Sequence, residues 1–263
     1  MQHVRRCFVV GIATKRFFSR RLCHGSSAKI NDEQKTHFGF EEVTPEQKQE
    51  KVYTVFKNVA QKYDVMNDFM SGGIHRLWKD RLIDVLDPLP STKLLDLAGG
   101  TGDIAFRFLE RVKEREGRNP TSSVVVCDIN EEMLRVGEQR AENLGYNRSN
   151  LIKWVTGDAQ NLPFPDNEFD AITIAFGIRN VVDIQKCLNE SYRVLKPGGM
   201  FLCLEFSAVT NPILKSVYDW YSFQVIPVIG EVIAGDYKSY KYLVESIRRF
   251  PDQKDFKAMI TDS

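Results

Sequence analysis

Cysteine is scarce: five in 263 residues, with no C-x-x-C spacing among them. Cys7 and Cys23 fall in the first 31 residues, while Cys127, Cys187 and Cys203 lie far apart along the rest. A disulfide framework and a zinc cluster are therefore excluded as organising devices, and the last three cysteines read as buried free thiols. Long apolar runs are missing too. The nearest to one, residues 223–234, is short and contains Pro227, Gly230 and Glu231, which excludes a membrane span there. No repeat of 20–50 residues is present, which excludes a solenoid.

Acid is absent from residues 1–31, which hold Arg5, Arg6, Lys15, Arg16, Arg20, Arg21 and Lys29 beside Ser19, Ser26, Ser27 and several apolar residues. A basic, serine-containing, acid-free and amphipathic head is the pattern of a mitochondrial transit peptide. A secretory signal fits less well, because Lys15 and Arg16 break the apolar core. Cleavage is expected near residues 24–35. Without those seven cations, 29 of the 36 Lys and Arg remain against 35 Asp and Glu, a formal charge of −6. A body of that charge has no global attraction to nucleic acid.

After the head, Thr44-Pro45-Glu46-Gln47 carries the signals of a helix start: an N-cap, a proline at the first helical position and a capping-box glutamine. Val52, Val55, Phe56, Val59 and Tyr63 then recur at helical spacing. A second helix is expected from Ile74 to Leu86, stopped by Asp87-Pro88. From Lys93 short apolar runs alternate with amphipathic segments. Strands are expected at residues 93–97, 124–127, 152–155, 171–175 and 200–206, with helices at 104–113, 131–144 and 184–195. Such alternation predicts an α/β fold with a doubly wound, mostly parallel sheet. Residues 32–90 form an N-terminal helical cap and residues 91–263 the main domain. Within it, residues 212–250 are helical, aromatic and interrupted by Pro227, Gly230 and Gly235, and read as a lid or substrate groove.

The segment LLDLAGGTGD, residues 94–103, is a strand running through a glycine-rich turn into a helix. Ligands of doubly wound sheets bind at such turns. Gly99, Gly100 and Gly102 allow close backbone approach and positive φ. Asp128 closes the next strand, where a carboxylate accepts ribose hydroxyls. Both features suit a dinucleotide as well as a nucleoside. The third glycine of G-x-G-x-x-G is absent, however, and Asp103 occupies the helix N-terminus where a pyrophosphate would dock. An amino group, by contrast, is welcomed by Asp96 or Asp103. Asp158 is placed to accept from an adenine amine and the Ala159 N–H to donate to a ring nitrogen. With the sharp turn RVLKPGG at residues 193–199, this order is the pattern of the Rossmann-like class I fold of methyltransferases that use S-adenosyl-L-methionine. A nicotinamide-dependent oxidoreductase is the competing reading of the glycine turn.

Residues 63–78, YDVMNDFMSGGIHRLW, and 193–207, RVLKPGGMFLCLEFS, resemble the two signatures of the C-methyltransferases of ubiquinone and menaquinone biosynthesis. FGIRN at 176–180 and YKYLVESI at 240–247 are similar to further family segments, and the likeness runs from about His37 to Met259. With a transit peptide, it implies the mitochondrial branch, which acts on a polyprenyl benzoquinol in coenzyme Q synthesis. It implies that Thr101, Asp128, Asp158 and Ala159 contact S-adenosyl-L-methionine. It also implies other coenzyme Q biosynthesis proteins as partners, a homodimer, and peripheral contact with the matrix side of the inner membrane.

The family fold continues with two more strands beyond a helix expected at residues 253–260, and this sequence stops at Ser263. The fifth strand is then expected to present an uncovered apolar edge. Such a chain also fits a non-catalytic binding or scaffold subunit.

A quinol carbon becomes nucleophilic when its hydroxyl, with a pKa of about 10, loses a proton. Arg179 is the expected electrostatic stabiliser of the phenolate, since a guanidinium is a poor base. Water, His75, Tyr63 or Asp68 carries the proton. Arg179 pairing with a carboxylate and His75 packing within a helix are the alternatives.

Overall fold

The computed structural model describes residues 10–16, 35–59, 67–68, 71–117, 119–146, 150–209 and 211–263. Tyr63 lies outside these residues, as does most of the expected transit peptide. Two short strands, β2 (Thr36–Phe38) and β3 (Glu41–Val43), form an antiparallel pair. The capping box forms at helix α1 (Pro45–Val59): Gln47 N–H donates to Thr44 Oγ1 at 3.3 Å, and Thr44 N–H to Gln47 Oε1 at 3.0 Å. Helix α2 (Ile74–Leu86) ends where expected, with Asp87 in the left-handed region at φ 46°.

The main domain alternates β4 (Lys93–Leu97), α3 (Asp103–Glu116), β5 (Ser123–Asp128), α4 (Glu131–Asn143), β6 (Ile152–Thr156), β7 (Phe169–Ala175), α5 (Ile184–Val194) and β8 (Leu195–Phe206). A 3-10 turn, Ile178–Asn180, follows β7. The Asn130 side chain caps α4 by accepting from Met133 N–H at 3.1 Å. The five strands pair in parallel in the order β8-β7-β4-β5-β6. The chain thus winds from β4 outward to β6, then returns to the other side of β4. That reversal puts a topological switch point between β4 and β7, where a crevice opens at the strands' carboxyl ends.

The β period of two sorts apolar side chains onto two faces. Leu94, Val124, Val126, Leu202 and Leu204 join one core with Leu82 of α2 and Phe108 of α3. Leu95, Leu97, Val125, Cys127, Phe201 and Cys203 join the other with Leu188 of α5 and Phe256. Both faces of the sheet are covered, as a parallel sheet requires. Cys127, Cys187 and Cys203 are free and buried, as expected.

One expectation fails at the sheet edge. Strand β1 (Val10–Arg16), inside the segment read as a transit peptide, pairs antiparallel with β8 from Val10 opposite Phe206 to Arg16 opposite Met200. In the uncleaved chain the apolar edge is therefore covered, because β8's outward backbone groups find hydrogen-bonding partners in residues 10–16.

Beyond β8 come α6 (Pro212–Gln224), α7 (Ile226–Ala234), α8 (Tyr237–Arg249) and α9 (Gln253–Asp262). Ile226 of α7 and Tyr240 and Val244 of α8 form a small core between these two helices. Gly230 does not interrupt a helix as expected. It lies inside α7, where a Cβ would stand 2.2 Å from Tyr240 Cδ2, so its missing side chain admits the Tyr240 ring. Pro227 opens α7 and Gly235, at φ 67°, closes it.

Candidate functional site

The turn after β4 is shaped by close contacts. Gly100 and Gly102 take φ 52° and 80°, and the non-glycine Ala98 takes φ 51°. Across the switch point Phe176, closing β7, is also left-handed at φ 57°. Such residues cost about 1–3 kcal/mol each and gather at functional sites. Gly177 follows because a Cβ there would lie 2.6 Å from Ala98 Cβ, so the two turns meet nearly backbone to backbone.

One cavity opens on these turns. Asp96, Gly99, Gly100, Thr101, Asp103, Asp128, Asp158 and Ala159 line it; Gly102 stands behind the lining, against Trp154. Asp96 is the unusual member. It is buried, its Oδ1 accepts from Thr173 Oγ1 at 3.0 Å, and its Oδ2 has no partner among the described residues. Burial first, then the charges of Asp103 and Asp128, push its pKa up to about 7. Asp103 differs. Burial alone would raise its pKa, but Lys79, donating at 2.6 Å, with Arg107 and Arg140, holds it below the usual range. Of the two carboxylates expected to greet an amino group, Asp103 already has a cation and Asp96 has none.

Asp128 accepts from Gly100 N–H at 2.9 Å through Oδ2 and from Asn130 N–H at 2.8 Å through Oδ1. With a further backbone hydrogen bond from Ile129, these bonds fix the carboxylate in the wall of the cavity. Asp158 turns onto its own loop, accepting from Gln160 N–H at 2.9 Å. The Thr101 hydroxyl accepts from Arg140 at 2.9 Å. The Cys127 thiol in the same wall is pushed up to about 12 by burial and stays protonated.

A second cavity of about 380 Å³ lies beyond the 3-10 turn, and Val181 and Val182 line both. Arg179 lines this second cavity and not the first; its guanidinium is buried against Glu205 at 2.8 Å. Its neighbour Asn180 lines the first cavity and accepts from Tyr242 Oη at 2.9 Å. His75 and Asp68 line neither. His75 Nδ1 is 2.8 Å from Ser71 Oγ, and burial followed by the charge of Lys79 lowers its pKa. Asp68 is held by Arg76 through two bonds of 2.6 and 2.5 Å. These two side chains make a local staple at the start of α2 and line neither cavity.

Sequence reasoning missed the roof and the second cavity. Gln49, Val52, Tyr53 and Phe56 of α1 close over the first cavity, and Asn130 Nδ2 donates to Tyr53 O at 3.3 Å to hold α1 there. The helical period of α1 was the available signal, but it did not say what the apolar face covers.

The model of the ubiE/COQ5 methyltransferase family matches residues 44–263. The chain belongs to this family. Over 290 aligned residues it is 52% identical to "2-methoxy-6-polyprenyl-1,4-benzoquinol methylase, mitochondrial" of Danio rerio, covering 100% of this chain and 87% of that one. The Homo sapiens protein of the same name is 56% identical over 268 residues, 90% of this family member and 81% of the relative. A crystal structure of a SAM-dependent methyltransferase from Thermotoga maritima matches at TM-score 0.51 and 20% identity, over 80% of this chain and 79% of that one. That likeness concerns the fold, which is the Rossmann-like class I methyltransferase fold the motifs predict.

Proposed function

We propose that this chain transfers the methyl group of S-adenosyl-L-methionine to a ring carbon of a polyprenyl benzoquinol in ubiquinone biosynthesis. The observation that carries the reading is the buried, unpartnered Asp96 Oδ2 beside Asp128 in the switch-point cavity. A carboxylate short of a cation, next to a second held in place by backbone N–H groups, suits an ammonium and a ribose diol. It does not suit a pyrophosphate. The 52% and 56% identities to benzoquinol methylases support the acceptor class.

When bound, S-adenosyl-L-methionine supplies a methyl group made electrophilic by its sulfonium. Asp96 pairs with the ammonium, Asp128 accepts from the ribose hydroxyls, and Asp158 with the Ala159 N–H meets the adenine edge. Val52, Tyr53 and Phe56 exclude water from the cavity. The acceptor ring lies beyond the Ile178–Asn180 turn, in the cavity lined by Arg179; the role expected for Arg179, stabilising the developing phenolate, is opposed by its ion pair with Glu205 at 2.8 Å.

The protein works in the mitochondrion, on the matrix side of the inner membrane, with other coenzyme Q biosynthesis proteins and as a homodimer. The basic head supports mitochondrial targeting. No helix among the described residues is long and apolar enough to cross a membrane. Ile213, Val217 and Trp220 of α6 and Val228 and Val232 of α7 are exposed, which supports peripheral contact.

The test is titration calorimetry with S-adenosyl-L-methionine, followed by methyl transfer to a short-tail 2-methoxy-benzoquinol. Loss of two charge-assisted hydrogen bonds in Asp128→Ala should weaken binding at least about a hundredfold. Unchanged affinity in that variant, or no transfer by the native chain, sinks the reading.

A further inference from the structure

Lys48 is a lysine in an unusual place. It sits on the first turn of α1, is only 4% exposed, and its Nζ donates to the Val181 carbonyl at 2.9 Å. Among the described residues no carboxylate lies within 4 Å of that nitrogen. Buried ammonium groups are normally paired, since an isolated one is costly. The second cavity, which Lys48 lines, is also short of negative charge. Its charged and titratable lining is Lys35, His37, Arg179, Asp183, Tyr242 and Arg249. Glu205 compensates Arg179 and Glu42 pairs with Lys35. Asp183, the one carboxylate among the described lining residues, caps α5 by accepting from Lys186 N–H at 3.0 Å and keeps its charge. Lys48 therefore faces a half-open cavity whose cations outnumber its single carboxylate, and it is bonded to Val181, which also lines the first cavity.

We infer that Lys48 is the general base of the methyl transfer: it takes the proton of the quinol hydroxyl and then holds the resulting phenolate. This rests on the function proposed above. A neutral lysine amine donates through one N–H to Val181 O and keeps its lone pair for the acceptor's O–H. The proton passes to Nζ while the O–H electron pair stays on oxygen. The ring carbon then bonds to the methyl as the methyl–sulfur pair returns to sulfur. The same carbon loses its own hydrogen as a proton to water, which restores the aromatic ring. Lys48 gives its proton back to the product oxygen on release. Burial supports the assignment by bringing the pKa of Lys48 down to about 8, so an appreciable fraction is neutral near neutral pH. His37, also in this cavity, has its pKa lowered by burial, then by the charges of Lys48 and Arg249.

The experiment is the pH profile of kcat/KM for a short-tail 2-methoxy-benzoquinol in the native protein, Lys48→Met and Lys48→Arg, with S-adenosyl-L-methionine saturating at every pH so that the titration of Asp96 does not enter the profile. Calorimetric affinity for S-adenosyl-L-methionine is measured in parallel. The native profile should rise to a plateau with an inflection near pH 8. Both variants should keep native cofactor affinity and lose about a hundredfold or more in kcat/KM at pH 7. Their profiles should climb to about pH 10, where the phenol ionises unaided. A native profile without an inflection between pH 7 and 9 overturns the inference, and needs no variant to fold. So does a Lys48→Met profile that keeps the native limb, or a limb below pH 6.5 that moves in His37→Gln. None of these outcomes touches the function itself, which falls only if the native chain binds no S-adenosyl-L-methionine or transfers no methyl group.

Discussion

Arg179 Nη1 donates to Glu205 Oε1 at 2.8 Å, and the two side chains are 4% and 3% exposed. The arginine leaves the turn after β7 and the glutamate ends β8, so the pair ties together two parallel strands at the mouth of the site. Burial raises the pKa of Glu205, and the Arg179 charge works against that rise. The same guanidinium also donates to Phe176 O at 2.6 Å, holding the left-handed residue that closes β7.

Breaking this pair from one side leaves a charge buried without its partner. Glu205→Leu should therefore lower unfolding stability by roughly 3–5 kcal/mol in urea. The double variant Arg179→Met/Glu205→Leu should recover most of that loss while remaining catalytically poor. A double variant no more stable than Glu205→Leu would contradict the pairing argument.

If Asp96 holds the ammonium as proposed, affinity for S-adenosyl-L-methionine should depend on pH. Its folded-state pKa of about 7 lies above the ordinary 3.8, so the folded chain keeps a proton that the unfolded chain releases. Its contribution to stability is therefore present at low pH and is lost as pH rises from about 4 to about 7. Binding an ammonium requires the ionised form, so affinity for S-adenosyl-L-methionine should increase between pH 6 and 8. Asp96→Asn should raise the Tm of the ligand-free protein at pH 8, weaken binding tenfold or more, and flatten that pH dependence. Calorimetry at three pH values decides it; equal slopes in native and variant proteins would count against the assignment.

Gly137, in the middle of α4, is a packing requirement of the glycine turn. A Cβ there would lie 2.4 Å from Trp154 Cζ3 and 3.1 Å from the Thr101 carbonyl carbon. Gly137→Ala should cost about 1–3 kcal/mol through overpacking, despite the better helix propensity of alanine. Because Thr101 is pushed as well, cofactor affinity should fall with stability. A variant as stable as the native protein, measured by urea unfolding, would show that Trp154 yields freely.

The outer face of α6 should govern membrane association. Val217 and Trp220 are 61% and 64% exposed, and interfacial binding scales with buried apolar area. Val217→Asp/Trp220→Asp should reduce cosedimentation with anionic vesicles several-fold and leave transfer to a short-tail acceptor in detergent unchanged. Equal cosedimentation would place the contact elsewhere on the molecule.

Much of the fold and of the lining of the switch-point cavity was legible in the residues alone, because the signals are local. The strand Lys93–Leu97, the glycine turn and the helix behind it follow one another within about two dozen residues. Caps such as Thr44 and Asn130 act within three positions, and a β period of two sorts each strand's faces without knowledge of its neighbours. Asp96 and Asp128 could be named because both close strands whose place in the order is implied by the alternation.

What the tertiary structure alone decided is which charges meet. Asp103 is neutralised by Lys79, 24 positions away, and Arg179 by Glu205, 26 away. Lys48 comes to Val181 across 133 positions, and residues 10–16 cover a strand nearly 200 positions downstream. Local pattern specifies an element and its apolar face. Whether a buried charge there is paired or left waiting depends on how faces from distant segments dock, and a pattern of neighbours along the chain carries no information about that.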